Sequence, residues 1–305
     1  MADLASHGGI RSLGLGAAGR PLRGLADLWV EADWIRRLAA VAGLLLVAVA
    51  IATPIIAPFD PAGQSLLARL RPPIGFERAV PDHLLGTDEL GRDVLSRCLH
   101  GLRLTLGLAL FGSCIGLVLG TALGMLAGTL GRWCDTLVMG LVDIQIAVPF
   151  TLIALLLVAV FGSSLDVLVV VLGVYGWEQY ARIIRAEVLK LREMPFIESA
   201  RASGASGLRI AVKHILPNVA SPLVVMFTLA FSNIVLLEST LSFLGLGVQP
   251  PIATLGSMVG TGRDYMPSAP WIVAAPAVCI LLVTFVVQML GDWLRDKTDV
   301  RLEER

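Results

Sequence analysis

Six separate stretches of this chain are apolar enough, and long enough, to cross a bilayer, and no other feature restricts its fold as much. A hydrocarbon core about 30 Å thick needs roughly 20 apolar residues at ~1.5 Å each. The candidate spans cover residues 38–59, 104–128, 137–161, 165–186, 219–244 and 271–290. The fourth fades at Trp177 into an Arg- and Glu-rich stretch that keeps helical spacing. With 56% hydrophobic and 16% charged residues and a mean hydropathy of +0.79, the chain lacks the polar surface of a water-soluble globule. The expected fold is all-α, a polytopic membrane protein with six transmembrane helices. Ala48-Val49-Ala50 resembles a leader cleavage site, but the apolar run continues to Phe59 and 37 residues precede it, so an uncleaved span is expected.

Arg and Lys placement sets the orientation. With both termini in the cytoplasm, five basic residues before the first span, Arg132, seven from Arg182 to Lys213 and four from Arg295 onward lie inside; seven lie outside. Three of the outer seven, Arg92, Arg97 and Arg103, crowd against the second span. Asp88 and Asp93 precede Arg92 and Arg97 by four residues and suggest i,i+4 pairs. Val94, Leu95, Cys98, Leu99 and Leu102 share one helical face, which predicts an amphipathic helix lying at the outer interface.

Several chemistries are excluded. The 24 basic residues balance 24 acidic ones, with no basic stripe for nucleic acid. Only three are lysines, Lys190, Lys213 and Lys297, and none sits in the Gly-Lys-Ser/Thr context that cradles a nucleotide phosphate. The four cysteines are scattered without a CxxC pair, and the four histidines form no ligand spacing, so no metal or cofactor is expected on this chain.

One polar interruption stands out, "ESARASGASGLRIAVKHILP" at 198–217. Pro195 suits a first helical turn and Glu198 its positive dipole end. Gly204 fits a left-handed C-cap. Ser206 fits an N-cap for a second short helix with Leu208, Ala211, Val212 and Ile215 on one face and Arg209 and Lys213 on the other. Pro217 ends or redirects it. A connection of some 30 residues far exceeds the usual ~4–6 and reads as a docking helix-turn-helix on the cytoplasmic side.

These residues also resemble a known element. Glu198-Ser199-Ala200, Gly204, Ile210 and Leu216-Pro217 are similar to the EAA loop of ABC-importer permeases, with Ser199 where that family usually has Ala. "HLLGTDELGRDVLSRCLHGLRLTL" (83–106), "ESTLSFLGLGVQPP" (238–251), "APW" (269–271) and "GDWLRDKTDVR" (291–301) resemble the second permease subunit of dipeptide, oligopeptide and nickel importers. The last block departs at Thr298 and Val300, where the family tends to have Leu and Pro. Residues 1–33 match nothing in it and read as a disordered arm. The resemblance implies a type I ABC importer permease fold, with an arm over 1–37, a first span over 38–59, an extracytoplasmic loop over 60–103, a transmembrane domain over 104–290 carrying the coupling loop at 187–217, and a cytoplasmic tail over 291–305.

It also implies a homologous permease partner, two cytosolic ATPases that hold ATP and Mg, and an extracytoplasmic solute-binding protein, beside membrane lipid. Coupling to the ATPases would rest on Glu198, Ser199, Ala200, Arg201, Gly204, Arg209, Ile210, Lys213, Leu216 and Pro217; Arg201, Arg209 and Lys213 serve equally as headgroup-facing positive-inside charge. Asp143, Gln145 and Glu238 are candidates for the translocation path because ionisable groups within spans are costly; for Asp143 the other reading is a wet, structural helix end. Glu178, Arg182 and Arg185 share a face and read as a structural set paired among themselves. Gly245 and Gly247 break the helix after the fifth span, and Trp271 reads as an interfacial anchor. Uptake of di- or oligopeptides is the favoured function, with nickel, glutathione or oligosaccharides as alternatives. An intramembrane enzyme would need a catalytic dyad or metal cluster that no HExxH or GxSxG supplies. A channel working alone would need no docking loop.

Overall fold

The computed structural model describes residues 34–298, with side chains through residue 296. The expected disordered arm over 1–33 and the tail beyond 298 lie outside the described residues. Helix α1 runs Trp34–Ile56, beginning before the expected span and stopping short of Phe59. Its start takes in Arg36, whose guanidinium pairs with Asp296 at 2.7 Å. Its end follows from Pro58, because the residue before a proline is driven out of the helical region.

Helix α2 runs unbroken from Val94 to Leu130 over 37 residues, about 55 Å. The expected interfacial helix is therefore its first turns. No proline interrupts the sequence between Asp93, which caps α2 by accepting from Ser96 N at 2.7 Å, and the membrane span. Val94 and Cys98 are buried against Met258 and Trp271 instead of lying on lipid. Of the two expected charge pairs, Asp88–Arg92 forms and Asp93–Arg97 does not. Asp88 accepts from Arg92 Nε at 2.6 Å and from Arg97, while Asp93 bonds His83 Nδ1 at 2.9 Å. Residues 88–93 form a turn, not a helix, so the four-residue spacing does not align Asp93 with Arg97.

Gly112, Gly116, Gly120, Gly124 and Gly128 recur every fourth residue of α2, and α5 (Leu165–Val174) and α6 (Trp177–Arg192) lie along this stripe. A Cβ at Gly120 would stand 2.5 Å from Tyr180 Cβ, and one at Gly128 2.6 Å from Val188 Cβ. Small residues at this spacing let two membrane helices approach backbone to backbone.

The expected straight span over 137–161 is two helices, α3 (Arg132–Ala147) and α4 (Phe150–Phe161), bent by 90°. Pro149 removes an amide donor and forces Val148 into extended backbone at φ −107°. Beyond α6, α7 (Pro195–Ala202) and α8 (Gly207–Ile210) form a hairpin that leads into α9 (Ala220–Phe243). As expected, α9 stops before Gly245, where φ is +83°. Helix α10 (Leu255–Gly262) opens on a capping box of Thr254 and Ser257, and α11 (Trp271–Thr298) completes the bundle. Trp271 donates from Nε1 to Thr87 O at 3.1 Å, so it braces the protein as well as marking the start of a span.

Five helices or helix pairs among the described residues, α1, α2, α5 with α6, α9 and α11, are long and apolar enough to cross a membrane, and the α3–α4 pair, bent by 90°, makes a sixth where it is counted as one broken span. Segments 57–93 and 244–270 close one end of the bundle as a cap. The hairpin over 193–219 occupies the other end. Among the described residues the β structure is an isolated bridge, Thr87 to Asp93.

Candidate functional site

The hairpin is built inward from four apolar side chains. Ile197, Ile210, Ile215 and Val219 are buried against Ile184 and Val188 of α6, with Met125 of α2 alongside. Each such side chain contributes about 1.5–3 kcal/mol when fully buried, which holds a unit too small to fold alone. Pro195 stands in the first turn of α7, as its sequence suggests.

Gly204 ends α7 with φ +80°. Its amide bonds Arg201 O at 2.9 Å and the Ala205 amide bonds Ala200 O at 3.0 Å, the two bonds of a Schellman motif. Ala200 and Ala205 both pack against the buried cluster. Ser206 caps α8, its hydroxyl accepting from Arg209 N at 3.4 Å.

The expected seam of Leu208, Ala211, Val212 and Ile215 is not the one that packs. Leu208 and Val212 are exposed, while Ile210 and Ile215, five residues apart, are buried. A π-helical turn over Ala211–Ile215 explains the spacing. Pro217 has no amide to give and its ring would strike the carbonyl four residues back, and the wider i→i+5 turn relieves both. The chain stays helical through Pro217 and is redirected only at Val219. A five-residue apolar spacing closed by a proline was the available signal.

The hairpin shows solvent both kinds of side chain: Glu198, Ser199, Arg201, Gly204, Arg209 and Lys213 are exposed, and so are Phe196, Leu208 and Val212, with Leu216 and Pro217 at its rim. Ala200 is half-buried and Ile210 is buried. Leu208, Val212 and Leu216 line an apolar groove of about 830 Å³ with Leu126 and Leu130 of α2.

A ladder of polar contacts ties α3 to α6 above the hairpin. Arg185 donates to Asp135 from both Nε and Nη2, the second bond at 2.6 Å, and Arg182 donates to Asp143 at 3.0 Å. Gln145 is its hub: it donates to Val174 O at 3.0 Å and to Glu178 at 2.9 Å, and accepts from Trp177 Nε1 at 2.6 Å. Glu178, Arg182 and Arg185 thus bond partners on α3, correcting the expectation that they pair with one another. Contacts 29 to 50 residues apart in sequence leave no local spacing to read. Arg192 extends the tie by donating to Gly128 O at 2.6 Å.

The three path candidates do not share one place. Asp143 is exposed, its side chain 72% accessible beside Arg182, and Gln145 is half-buried in the ladder. Glu238 is 1% exposed in the interior, accepting from Ser242 Oγ at 2.6 Å.

Five to six membrane-length apolar helices with a helical hairpin at one end form an ABC importer permease fold. The structure most useful for comparison is the MetNI methionine ABC transporter in an inward-facing conformation, which matches with a TM-score of 0.52 at 22% identity over 67% of this chain and 96% of that one. The chain belongs to the family of binding-protein-dependent transport system inner membrane components, whose sequence pattern matches residues 120–300. It is a multi-pass inner-membrane protein of the dipeptide and oligopeptide branch. It is 40% identical to the di/tripeptide transport system permease protein DppC of Pseudomonas aeruginosa (strain UCBPP-PA14), covering 85% of this chain and 86% of that protein. It is 36% identical to the dipeptide transport system permease protein DppC of Haemophilus influenzae, covering 86% and 88%. It is also 36% identical to the glutathione transport system permease protein GsiD of Pectobacterium atrosepticum, covering 85% of each.

Proposed function

We propose that this chain is one of two permeases in an importer of di- or oligopeptides, working with a homologous permease, two ATPases that bind ATP and Mg, and an extracytoplasmic solute-binding protein. The termini and the 193–219 hairpin face the cytoplasm, where the ATPases dock. One observation carries this reading: the hairpin is anchored in its own chain by Ile197, Ile210 and Ile215 and presents Glu198, Arg201, Arg209 and Lys213 outward beside exposed Leu208 and Val212. A loop meant only to connect α6 to α9 needs no such built surface. Because Ile197 and Ile215 lock into α6, and α6 is tied to α3, force applied at the hairpin moves these helices as one body, a basis for alternating access. A channel acting alone and an intramembrane enzyme have no use for that linkage.

The peptide substrate is supported by the names of the relatives, and glutathione by one of them. Asp143, exposed beside Arg182, is the candidate that stays open to a path between permeases; Glu238 and Gln145 serve the packing. Reconstituted into liposomes with its partners and ATP inside, the transporter should take up labelled dipeptide. Unlabelled di- and tripeptides should compete, and nickel should not. Competition by glutathione with none by dipeptides would move the assignment to the glutathione class.

A further inference from the structure

Of the three arginines that crowd the cap end of α2, two are accounted for by the fold. Arg92 and Arg97 are buried and both bond Asp88, with Glu89 taking a second nitrogen of Arg92 at 2.7 Å. Arg103 is different. It is exposed and, among the described residues, forms no ion pair. Its side chain lines a cleft of about 570 Å³ between α2, α5 and the 251–253 segment, with His100 beside it and an apolar wall of Leu104, Leu108 and Phe111. Asp60 lies near His100.

Depth in the bilayer decides what such a cleft can hold. From Leu104 to Leu130 α2 carries no charge, and that stretch is about 40 Å long, enough for a hydrocarbon core of ~30 Å. Arg103 is therefore the residue at which α2 leaves the core, the level of lipid phosphates. The wall below it, with Phe111 63% exposed, continues into the acyl region. An unpaired cation above an apolar slot matches one amphiphile, a negatively charged headgroup with a chain beneath it.

We propose that this cleft is a site for one anionic phospholipid, its phosphate on Arg103 with His100 alongside and an acyl chain along Leu104, Leu108 and Phe111. Bound there, the lipid joins α2 to α5 at the cap end. It also gives an arginine on the cap side, otherwise against the charge bias of the chain, a partner.

The test uses the assembled transporter in mild detergent, exchanged into phosphatidylglycerol or phosphatidylcholine with the same acyl chains, with retained lipids counted by native mass spectrometry. The wild type should hold one phosphatidylglycerol per complex that Arg103→Gln retains about fivefold less well, the change expected for one basic residue at a membrane surface. Phosphatidylcholine should be retained equally by both. Millimolar inorganic phosphate should leave the lipid in place; its displacement would show that free phosphate is the ligand and overturn the lipid assignment. A Cβ at Gly107 meets nothing within 4 Å, so Gly107→Trp should leave the fold intact, fill the slot and expel the lipid even if Arg103→Gln assembles poorly. Equal phosphatidylglycerol retention in wild type and Gly107→Trp overturns the proposal, as does cross-linking of Gly107→Cys to the partner permease by a thiol-reactive bifunctional reagent.

Discussion

Glu238 is a carboxyl group enclosed by its own chain, bonded to Ser242 and lying near Thr254 at the junction of α9 with α10. That bond lies within α9, and Oε2 is buried with no hydrogen-bond partner among the described residues. Glu238→Gln keeps an oxygen that can accept from Ser242, so transport should stay within about twofold of wild type, whereas Glu238→Ala strands a buried hydroxyl at a cost of about 1–3 kcal/mol. Transport assays and thermal unfolding in detergent separate the two, and loss of transport in a stable Glu238→Gln would return this residue to the translocation path. Local chemistry explains which residues were readable in advance. Gly204 and Ser206 act through backbone angles and caps set within four residues of themselves, so their roles show in the sequence. Gln145 acts on Val174, Trp177 and Glu178, some thirty residues away, through a proline bend that brings α3 under α6.

The α2 helix and the hairpin illustrate opposite ways of packing an element. On α2 the contact is made by absence of side chain: Gly120→Leu would drive a side chain into Tyr180 and the α6 backbone, neither of which can yield. Destabilisation of about 1–3 kcal/mol or more is expected. Gly140→Leu on α3 meets nothing within 4 Å and should change little. Equal melting temperatures for the two variants would show that the glycine stripe is not a close contact. In the hairpin the contact is made by isoleucines. Ile210→Ala should cost about 2–5 kcal/mol of local stability, read as faster amide exchange over 195–219. Leu208→Ala should cost under about 0.5 kcal/mol. The reversed order would restore the seam that simple helical periodicity suggests. That periodicity fails here because a π turn made for Pro217 resets which side chains face inward, and hydropathy carries no mark of a π turn. The membrane-length apolar helices, by contrast, follow from hydropathy, since a bilayer imposes length and apolarity on each separately, whereas the 90° bend between α3 and α4 does not.

Taken whole, the molecule has two differently built ends joined by a glycine-packed frame. The cap end is fixed by buried charge, with Asp88 holding Arg92 and Arg97 and Trp271 reaching back to Thr87. The hairpin end is fixed by a small apolar cluster under a mixed polar and apolar surface. Only the second offers a rigid, exposed unit fastened to two spans, which is why the coupling role is placed there. Gly204 lies at its tip with φ +80° and open space around its Cβ position. A leucine there carries backbone strain of about 1–3 kcal/mol and adds bulk to the docking surface, while leaving the membrane bundle alone. Affinity purification of a tagged chain from membranes, with and without Gly204→Leu, puts the account to its test. The variant should recover its permease partner in normal amounts and lose most of the ATPase; full ATPase recovery together with wild-type transport would contradict the assignment of residues 193–219 as the coupling element.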